Sequence, residues 1–423
     1  MKNRVVITGL GVVSPNGVGL SEFTHAIKNG ISGIKHDAEL ERLQFSCQIA
    51  GKPEISNEKA LTYFTELELR NFNSSGILYG VIAGMEAWQD AGLHVENHNE
   101  PDWESGTIFG TGTSGIDKFR ESIYKIDNLQ TRSLGSTAVA QTMSSGVSAY
   151  LGGKLGLGNQ VTTNSSACTT GTESILMAYD RIKNGQAKRI LAGSTSDSGP
   201  YIWGGFDAMK VCTYKYNHAP EQGSRPMSAS ASGFVPGSGA GALVLECLES
   251  ALARGARIYA EVLGGNINSG GQRGLGTMTA PNPLAVQRCI TQAMAQAGIV
   301  ASDIDAINGH LTATAKDSLE IQNWCEALQR KGTTFPYINS LKSMVGHCLS
   351  AAGSIESVAS VLQIHQQFIF PNINCDDMHP EILQHIDESR IPRQLTVSDI
   401  NIVAKASFGF GDVNGCVIFK KYS

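Results

Sequence analysis

Val161-Thr-Thr-Asn-Ser-Ser-Ala-Cys168-Thr-Thr-Gly-Thr-Glu-Ser174 passes from a β-branched run through small residues into a helical pattern. A turn of that composition at a strand end puts Cys168 at a helix N-terminus. Unpaired N–H groups and the helix dipole there favour a thiolate, so the stretch predicts a thiol pKa below the ordinary value of about 8.5 and a nucleophilic sulfur. A cysteine is more often a small core residue, and that is the reading for the other eight: Cys47, Cys212, Cys247, Cys289, Cys325, Cys348, Cys375 and Cys416.

Outward from this turn, β-branched runs alternate with longer helical patterns over all 423 residues, which marks an α/β protein with largely buried sheets. The strand candidates are Arg4 to Thr8, Gly106 to Phe109, Gln160 to Thr163, Arg189 to Ala192, Ala242 to Leu245, Arg257 to Leu263, Ile304 to Asn308, Tyr337 to Ser340, Asn401 to Ala406 and Gly415 to Phe419. Helices are expected over Asn73 to Ala91, Gly171 to Asn184, Ala285 to Ala297, Asp317 to Arg330 and Gly346 to Gln367. The charged segment Glu249 to Gly255 is the best dividing point, because a long strand candidate follows at once. It separates residues 1–255 from 256–423, two halves of similar βα content without visible repetition.

Charged residues make up 17% of the chain, below the roughly 25% of an average soluble domain, so much surface is buried in a large core or against another subunit. A net charge of −5 offers no basic field to nucleic acid or an anionic membrane. No apolar stretch approaches the roughly 18 residues of a membrane span, and Met1 to Gly9 lacks the zones of a signal peptide, so a cytoplasmic protein is expected. The nine cysteines are scattered and form no C-x-x-C pair, which argues for reduced thiols without a metal site. Thr8 to Gly17 follows a strand but lacks the third glycine and the acidic partner of a dinucleotide fingerprint. Gly233 to Gly241 runs into a strand and holds no Lys-Ser/Thr pair, so it reads as a tight turn between buried strands.

Two histidines occupy matching contexts in the second half. His310 follows the strand Asp305-Ala-Ile-Asn-Gly, and His347 follows another in Asn339-Ser-Leu-Lys342-Ser-Met-Val-Gly-His347, where it is expected to open a long helix. Open α/β sheets place active groups beyond the carboxyl ends of their strands, so Cys168 and both histidines can converge at one mouth.

These residues resemble the β-ketoacyl-acyl carrier protein synthases of the thiolase-like condensing enzymes, nearest to the elongating type II enzymes of fatty-acid synthesis. The likeness begins with Arg4-Val-Val-Ile-Thr-Gly-Leu-Gly-Val-Val-Ser-Pro and runs through Ser166-Ala-Cys-Thr, Arg225-Pro, Gly233-Phe to Glu246 and Lys342-Ser-Met-Val-Gly-His. It ends in Ser407-Phe-Gly-Phe-Gly. The resemblance implies an α/β fold of two similar halves packed as a five-layered αβαβα core. It implies an acyl chain held on Cys168, decarboxylation of a malonyl thioester beside His310 and His347, and attack of the resulting carbanion on the acyl group.

By the same resemblance Lys342 and Glu320 support the site. Backbone N–H groups of Cys168 and Phe410 hold the oxyanion, with Phe408 beside the gate. Thr279, Thr312 and Thr314 bind a phosphopantetheine arm, Thr113 and Phe206 line the acyl pocket, and Arg70, Arg132 and Lys210 meet an acidic acyl carrier protein. No bound cofactor or metal is expected. A homodimer is implied, joined through the strand Gln160 to Thr163, with Arg132 to Met143 of one copy reaching the other's acyl tunnel. A heterodimer with a homologue is the alternative.

The family's His-Gly-Thr-Gly/Ser-Thr-Pro, followed three residues later by Asp, becomes His310-Leu-Thr-Ala-Thr-Ala-Lys-Asp317, one residue shorter, with Leu311 and Ala315 replacing Gly and Pro. Gly-Phe-Gly-Gly-Thr-Asn becomes Gly409-Phe-Gly-Asp412-Val-Asn414, which puts the gate's mobility in question. An active synthase of fatty-acid elongation is the principal reading, with a polyene or polyketide pathway as its alternative. A silent partner subunit is disfavoured by Cys168. A thiolase-type acyltransferase would need Cys348 or Cys416 as a second acid/base.

Overall fold

The protein is described from a computed structural model covering residues 3–95 and 99–423; Met1 and Lys2 of the expected N-terminal run lie outside it. The core elements are β1 (Val5–Ser14), α1 (Ser75–Asp90), β2 (Ser105–Thr111), α2 (Gly146–Leu155), β3 (Val161–Thr162), α3 (Thr170–Lys183), β4 (Arg189–Ser196) and β5 (Gly239–Cys247). The same order then recurs: β6 (Ala260–Ser269), α4 (Pro283–Ala297), β7 (Ala306–Asn308), α5 (Asp317–Leu328), β8 (Tyr337–Asn339), α6 (Ala352–Gln366), β9 (Ile402–Gly409) and β10 (Val413–Lys420).

Strand order matches the recurrence. One series runs β3-β2-β4-β5-β1 and the other β8-β7-β9-β10-β6, each with its first three strands parallel and the rest antiparallel. The series join where Val5, Val6 and Ile7 of β1 pair with Val262, Glu261 and Ala260 of β6. With the short strand Gly17–Val18 against β1, the result is one eleven-stranded sheet.

Alternation along the strands builds the layers, since successive side chains point to opposite faces. Ile190 and Ala192 of β4 and Leu243 and Leu245 of β5 face α3 and α6, as do Val403 of β9 and Val417 of β10. Leu191, Ala242 and Val244 face α1 and α2. Ala404, Cys416 and Ile418 face α4 and α5. These are the five layers αβαβα, and burial on both faces explains the strands' unbroken apolar runs.

Three local expectations change. The strand expected to end at Thr8 runs on through the glycines that follow, because β1 continues to Ser14. A Cβ at Gly9 or Gly11 would lie 2.2 or 2.0 Å from a carbonyl oxygen of α1, so these glycines permit close strand–helix packing. His347 does not open the long helix. Gly346 (φ 70°) and Leu349 (φ 50°) have left-handed backbone, which no α-helix accommodates, and α6 begins only at Ala352. Finally, Gly233 to Gly241 is no simple turn. Its backbone runs beside the loop holding His347, as the bridge between Pro236 and His347 shows, before Gly239 starts β5.

The central layer is tight. Gly171 of α3 and Gly353 of α6 meet where the helices cross: a Cβ on Gly171 would sit 2.3 Å from the Ser354 nitrogen, and one on Gly353 2.6 Å from the Thr172 nitrogen. Each helix is preceded by a short 3₁₀ turn, Ala167–Thr169 and Leu349–Ala351, opened by a left-handed residue, Ala167 or Leu349, each at φ 50°. The turns are mates in the recurrence. One carries Cys168, while the other carries Ser350, whose Oγ donates to the Thr195 carbonyl at 2.7 Å.

Candidate active site

Cys168, His310 and His347 line one cavity of about 310 Å³, together with Phe206, Phe234, Thr279, Thr312, Thr314, Glu320, Phe408 and Phe410. The Cys168 Sγ lies 3.2 Å from His347 Nε2. The two imidazoles meet edge to face, with centroids 5.3 Å apart and planes at 84°. The backbone anchors His347: its N–H donates to the Val235 carbonyl at 2.7 Å, and its carbonyl accepts from Gly237 at 2.9 Å. Phe234 packs edge-on against its ring at 5.2 Å.

Burial decides the protonation states. Both imidazoles are held well below the ordinary histidine range, first by loss of water and then by the Lys342 ammonium, so they are neutral near pH 7. Cys168 departs from the sequence expectation. Burial pushes its thiol up to about 11, outweighing the lowering effects of Lys342 and of the backbone N–H groups of Phe410 and Cys168. Its 3₁₀ turn is almost closed to solvent, so the resting group is a thiol against a neutral imidazole.

The shortened loop after His310 is rebuilt around two carboxylates at the start of α5. Glu320 accepts from the N–H groups of His310 and Leu311, both at 2.7 Å. Asp317 accepts from Thr312, Ala313 and Met227 at 3.0 to 3.1 Å. Leu311 takes φ 22° and Ala313 φ 61°, and these bonds hold the strained backbone. Burial raises Glu320 to about 7 and Asp317 to about 6 against those N–H donors. Thr312 and Thr314 pair hydroxyl to hydroxyl at 3.1 Å on the cavity wall.

Behind the histidines lies a buried charge cluster. Lys342 contacts Oε1 of Glu356, and Lys405 approaches Oε2 of the same carboxylate at 2.8 Å. All three side chains are buried. Sequence reasoning missed Glu356 and Lys405, although each is the lone formal charge in a buried element, α6 or β9. It also missed Phe234.

Asp412 takes φ 62°, and its carboxylate accepts from the N–H groups of Gln272 at 3.0 Å and Asn282 at 2.8 Å. The loop after Phe410 is thereby tied to the loop carrying Thr279. Other expected residues lie apart from the cavity: Thr113 is exposed beside β2, and Arg70, Arg132 and Lys210 are exposed. Cys348 packs in the central core and Cys416 on β10, and neither is among the cavity's lining residues. All nine cysteines are free thiols. Among the described residues no group of His, Cys, Asp or Glu is arranged to hold a metal ion, and no helix is long and apolar enough to cross a membrane.

Residues 2–251 match the beta-ketoacyl synthase N-terminal domain and residues 259–376 the beta-ketoacyl synthase C-terminal domain. The chain is 33% identical over 424 residues, covering 99% of both chains, to 3-oxoacyl-[acyl-carrier-protein] synthase 2 of Vibrio harveyi. Among solved structures it superposes on a type II polyketide ketosynthase, bound to a hexaketide and in complex with its acyl-carrier protein, with a TM-score of 0.86 at 28% identity, covering all of both chains. The ishigamide ketosynthase/chain length factor gives 0.87 at 27% identity, again over all of both chains. A cysteine and two neutral histidines at one cavity, on an αβαβα core matched from end to end, place this chain in the β-ketoacyl synthase family.

Proposed function

We propose that the protein catalyses decarboxylative condensation of an acyl chain, held as a thioester on Cys168, with malonyl-acyl carrier protein to give a β-ketoacyl-carrier in fatty-acid elongation. The observation that carries this reading is the 3.2 Å approach of Cys168 Sγ to a neutral His347 in a cavity shared with His310. Acyl transfer starts as the thiol gives up its proton, with His347 Nε2 in position to take it. Sulfur then attacks the carrier thioester, and the carrier thiol leaves with a proton. Malonyl thioester next loses carbon dioxide. The bonding electrons collect on the thioester oxygen as an enolate, which neutral imidazole N–H donors stabilise without supplying a competing acid. The carbanion attacks the acyl carbonyl, the oxyanion rests on the N–H groups of Cys168 and Phe410, and the C–S bond breaks to regenerate the cysteine.

Lys342 and Glu320 support the histidines, Phe408 and Phe410 bound the gate, and Thr279, Thr312 and Thr314 receive the phosphopantetheine arm. Arg70, Arg132 and Lys210 form the carrier contact. The division of labour puts the nucleophile on residues 1–255 and the histidines on 256–423. We assign a homodimer joined through β3, an edge strand paired only with β2 among the described residues, with Phe206 on the acyl pocket and the exposed Thr113 brought to it only in the dimer. Phe119, Tyr124, Leu129 and Val139 leave apolar surface exposed, which a second copy would cover. A polyene or polyketide pathway is the second reading, favoured by the likeness to a ketosynthase/chain length factor, and it replaces the homodimer by a heterodimer.

Incubation with malonyl-carrier and a panel of acyl-carriers, with mass spectrometry of the products, tests the proposal. β-Ketoacyl-carrier formed from saturated acyl chains supports elongation. Products formed only from unsaturated or polyketide chains favour the second reading, and no condensation with any donor overturns both.

A further inference from the structure

We infer that Lys405 is a second buried ammonium of this site, a positioning residue that shares the Glu356 carboxylate with Lys342 and keeps His310 and His347 uncharged during decarboxylation. The inference rests on the condensing reaction proposed above.

Lys405 lies on β9 between Ala404 and Ala406, with a fully buried side chain. A buried lysine persists as a cation only where its hydrogens find acceptors. Here its Nζ donates to Ser407 Oγ at 3.0 Å and to the Ala406 carbonyl, and it forms an ion pair with Glu356 Oε2 at 2.8 Å. Ser407 is fixed in turn by Thr172 of α3, hydroxyl to hydroxyl at 2.8 Å. Glu356 thus lies between two ammoniums, Lys342 at Oε1 and Lys405 at Oε2.

Two cations against one anion leave the Lys342–Glu356–Lys405 cluster itself net positive. Its field opposes protonation of either ring, and Lys405 acts in that direction on both. Neutrality has a chemical consequence at the carbanion. An imidazolium could hand its proton to that carbon, giving acetyl-carrier and carbon dioxide, with the proton leaving a ring nitrogen for the new C–H bond. A neutral imidazole stabilises the enolate but is a poor acid, so the carbanion survives to attack the acyl group.

The groups facing the histidines are Cys168, Asp317, Glu320, Lys342, Glu356 and Lys405. Asp317 and Glu320 titrate near pH 6 to 7 themselves, so the test compares variants that share them. Acetyl-carrier formed per carbon dioxide released is measured from pH 5 to 8 for the unsubstituted protein, Lys405→Met and Lys405→Arg. In Lys405→Met the rise of this ratio at low pH should begin about one unit higher, the size of shift that removing one partly screened charge produces. Lys405→Arg should follow the unsubstituted protein, whatever its rate. Coincident profiles for Lys405→Met and the unsubstituted protein would overturn the inference, as would Lys405→Arg behaving like Lys405→Met.

If Lys405→Met fails to fold, NMR of the unsubstituted protein labelled with ¹³C at the lysine ε carbons decides. Lys405 should stay charged from pH 6 to 8, and a neutral amine there refutes the inference. Absence of carbon dioxide release by the unsubstituted protein would instead defeat the proposed reaction.

Discussion

Gly171→Ala probes whether the crossing of α3 and α6 sets the distance between nucleophile and base. The new Cβ would lie 2.3 Å from the Ser354 nitrogen, 2.5 Å from Ser194 Oγ and 2.9 Å from the Gly353 carbonyl carbon. Ordinary contact begins near 3.4 Å, leaving about 1.1 Å to be made up. Backbone cannot swing aside as a long side chain can, so the helices must part. Cys168 rides on the turn before α3 and His347 on the segment leading to α6, so a full separation would lengthen their 3.2 Å contact to about 4.3 Å, beyond hydrogen-bond reach. Overpacking of this kind costs about 1–3 kcal/mol of stability, and a misplacement of about 1 Å at reacting groups costs about 10² in rate. The assay is single-turnover acylation of Cys168 by an acyl-carrier, followed by intact mass, with circular dichroism to verify folding. Gly153→Ala is the control, because nothing lies within 4 Å of a Cβ there. If folded Gly171→Ala acylates within about threefold of the unsubstituted protein, the crossing does not set the catalytic distance and the reasoning fails.

Other consequences follow from the same geometry. Cys168→Ala should abolish labelling by an acyl donor or epoxide, while Cys47→Ala and Cys375→Ala keep it; stoichiometric labelling of Cys168→Ala would refute the assignment. His310→Ala or His347→Ala should lower carbon dioxide release from malonyl-carrier by about 10²–10³, the loss typical of one preorganised oxyanion donor, with acyl transfer less affected. Near-native release from both variants would contradict the roles given them. Glu320, raised to about 7 by burial, binds its proton in the folded chain before the unfolded chain does. Its contribution to stability is therefore full below about pH 4.5 and is lost as pH rises to 7, so the unsubstituted protein should fall relative to Glu320→Gln by about 3 kcal/mol across that window in denaturant titrations. Parallel stability curves for the two proteins would refute the buried carboxylate's role.

What the sequence discloses here is what local chemistry writes. The strand-to-helix passage at Cys168 and the strand ends before His310 and His347 are short, contiguous patterns, and the structure brings all three to one cavity. The α/β alternation was equally legible, since burial on both faces leaves long apolar runs. Long-range facts were not. Gly9 and Gly11 resemble turn residues until α1 is seen against them. The pairing of Val5 to Ile7 with Ala260 to Val262 joins segments some 250 residues apart. The depressed thiol pKa expected of Cys168 failed because the helix terminus acts locally, whereas burial depends on the whole fold. Glu356 and Lys405 left a usable signal: each is the lone formal charge in a buried element, and a buried charge needs a partner of opposite sign.

The Asp412 carboxylate bears on timing. Because it holds the N–H groups of Gln272 and Asn282, residues 409–413 and 270–282 are not independent bodies. Displacing Phe410 either breaks both bonds or carries Thr279 along. On the roles proposed for Thr279 and Phe410, arrival of a substrate arm along one loop and opening of the passage behind the other become a single relaxation, with one time constant where untethered loops would give two.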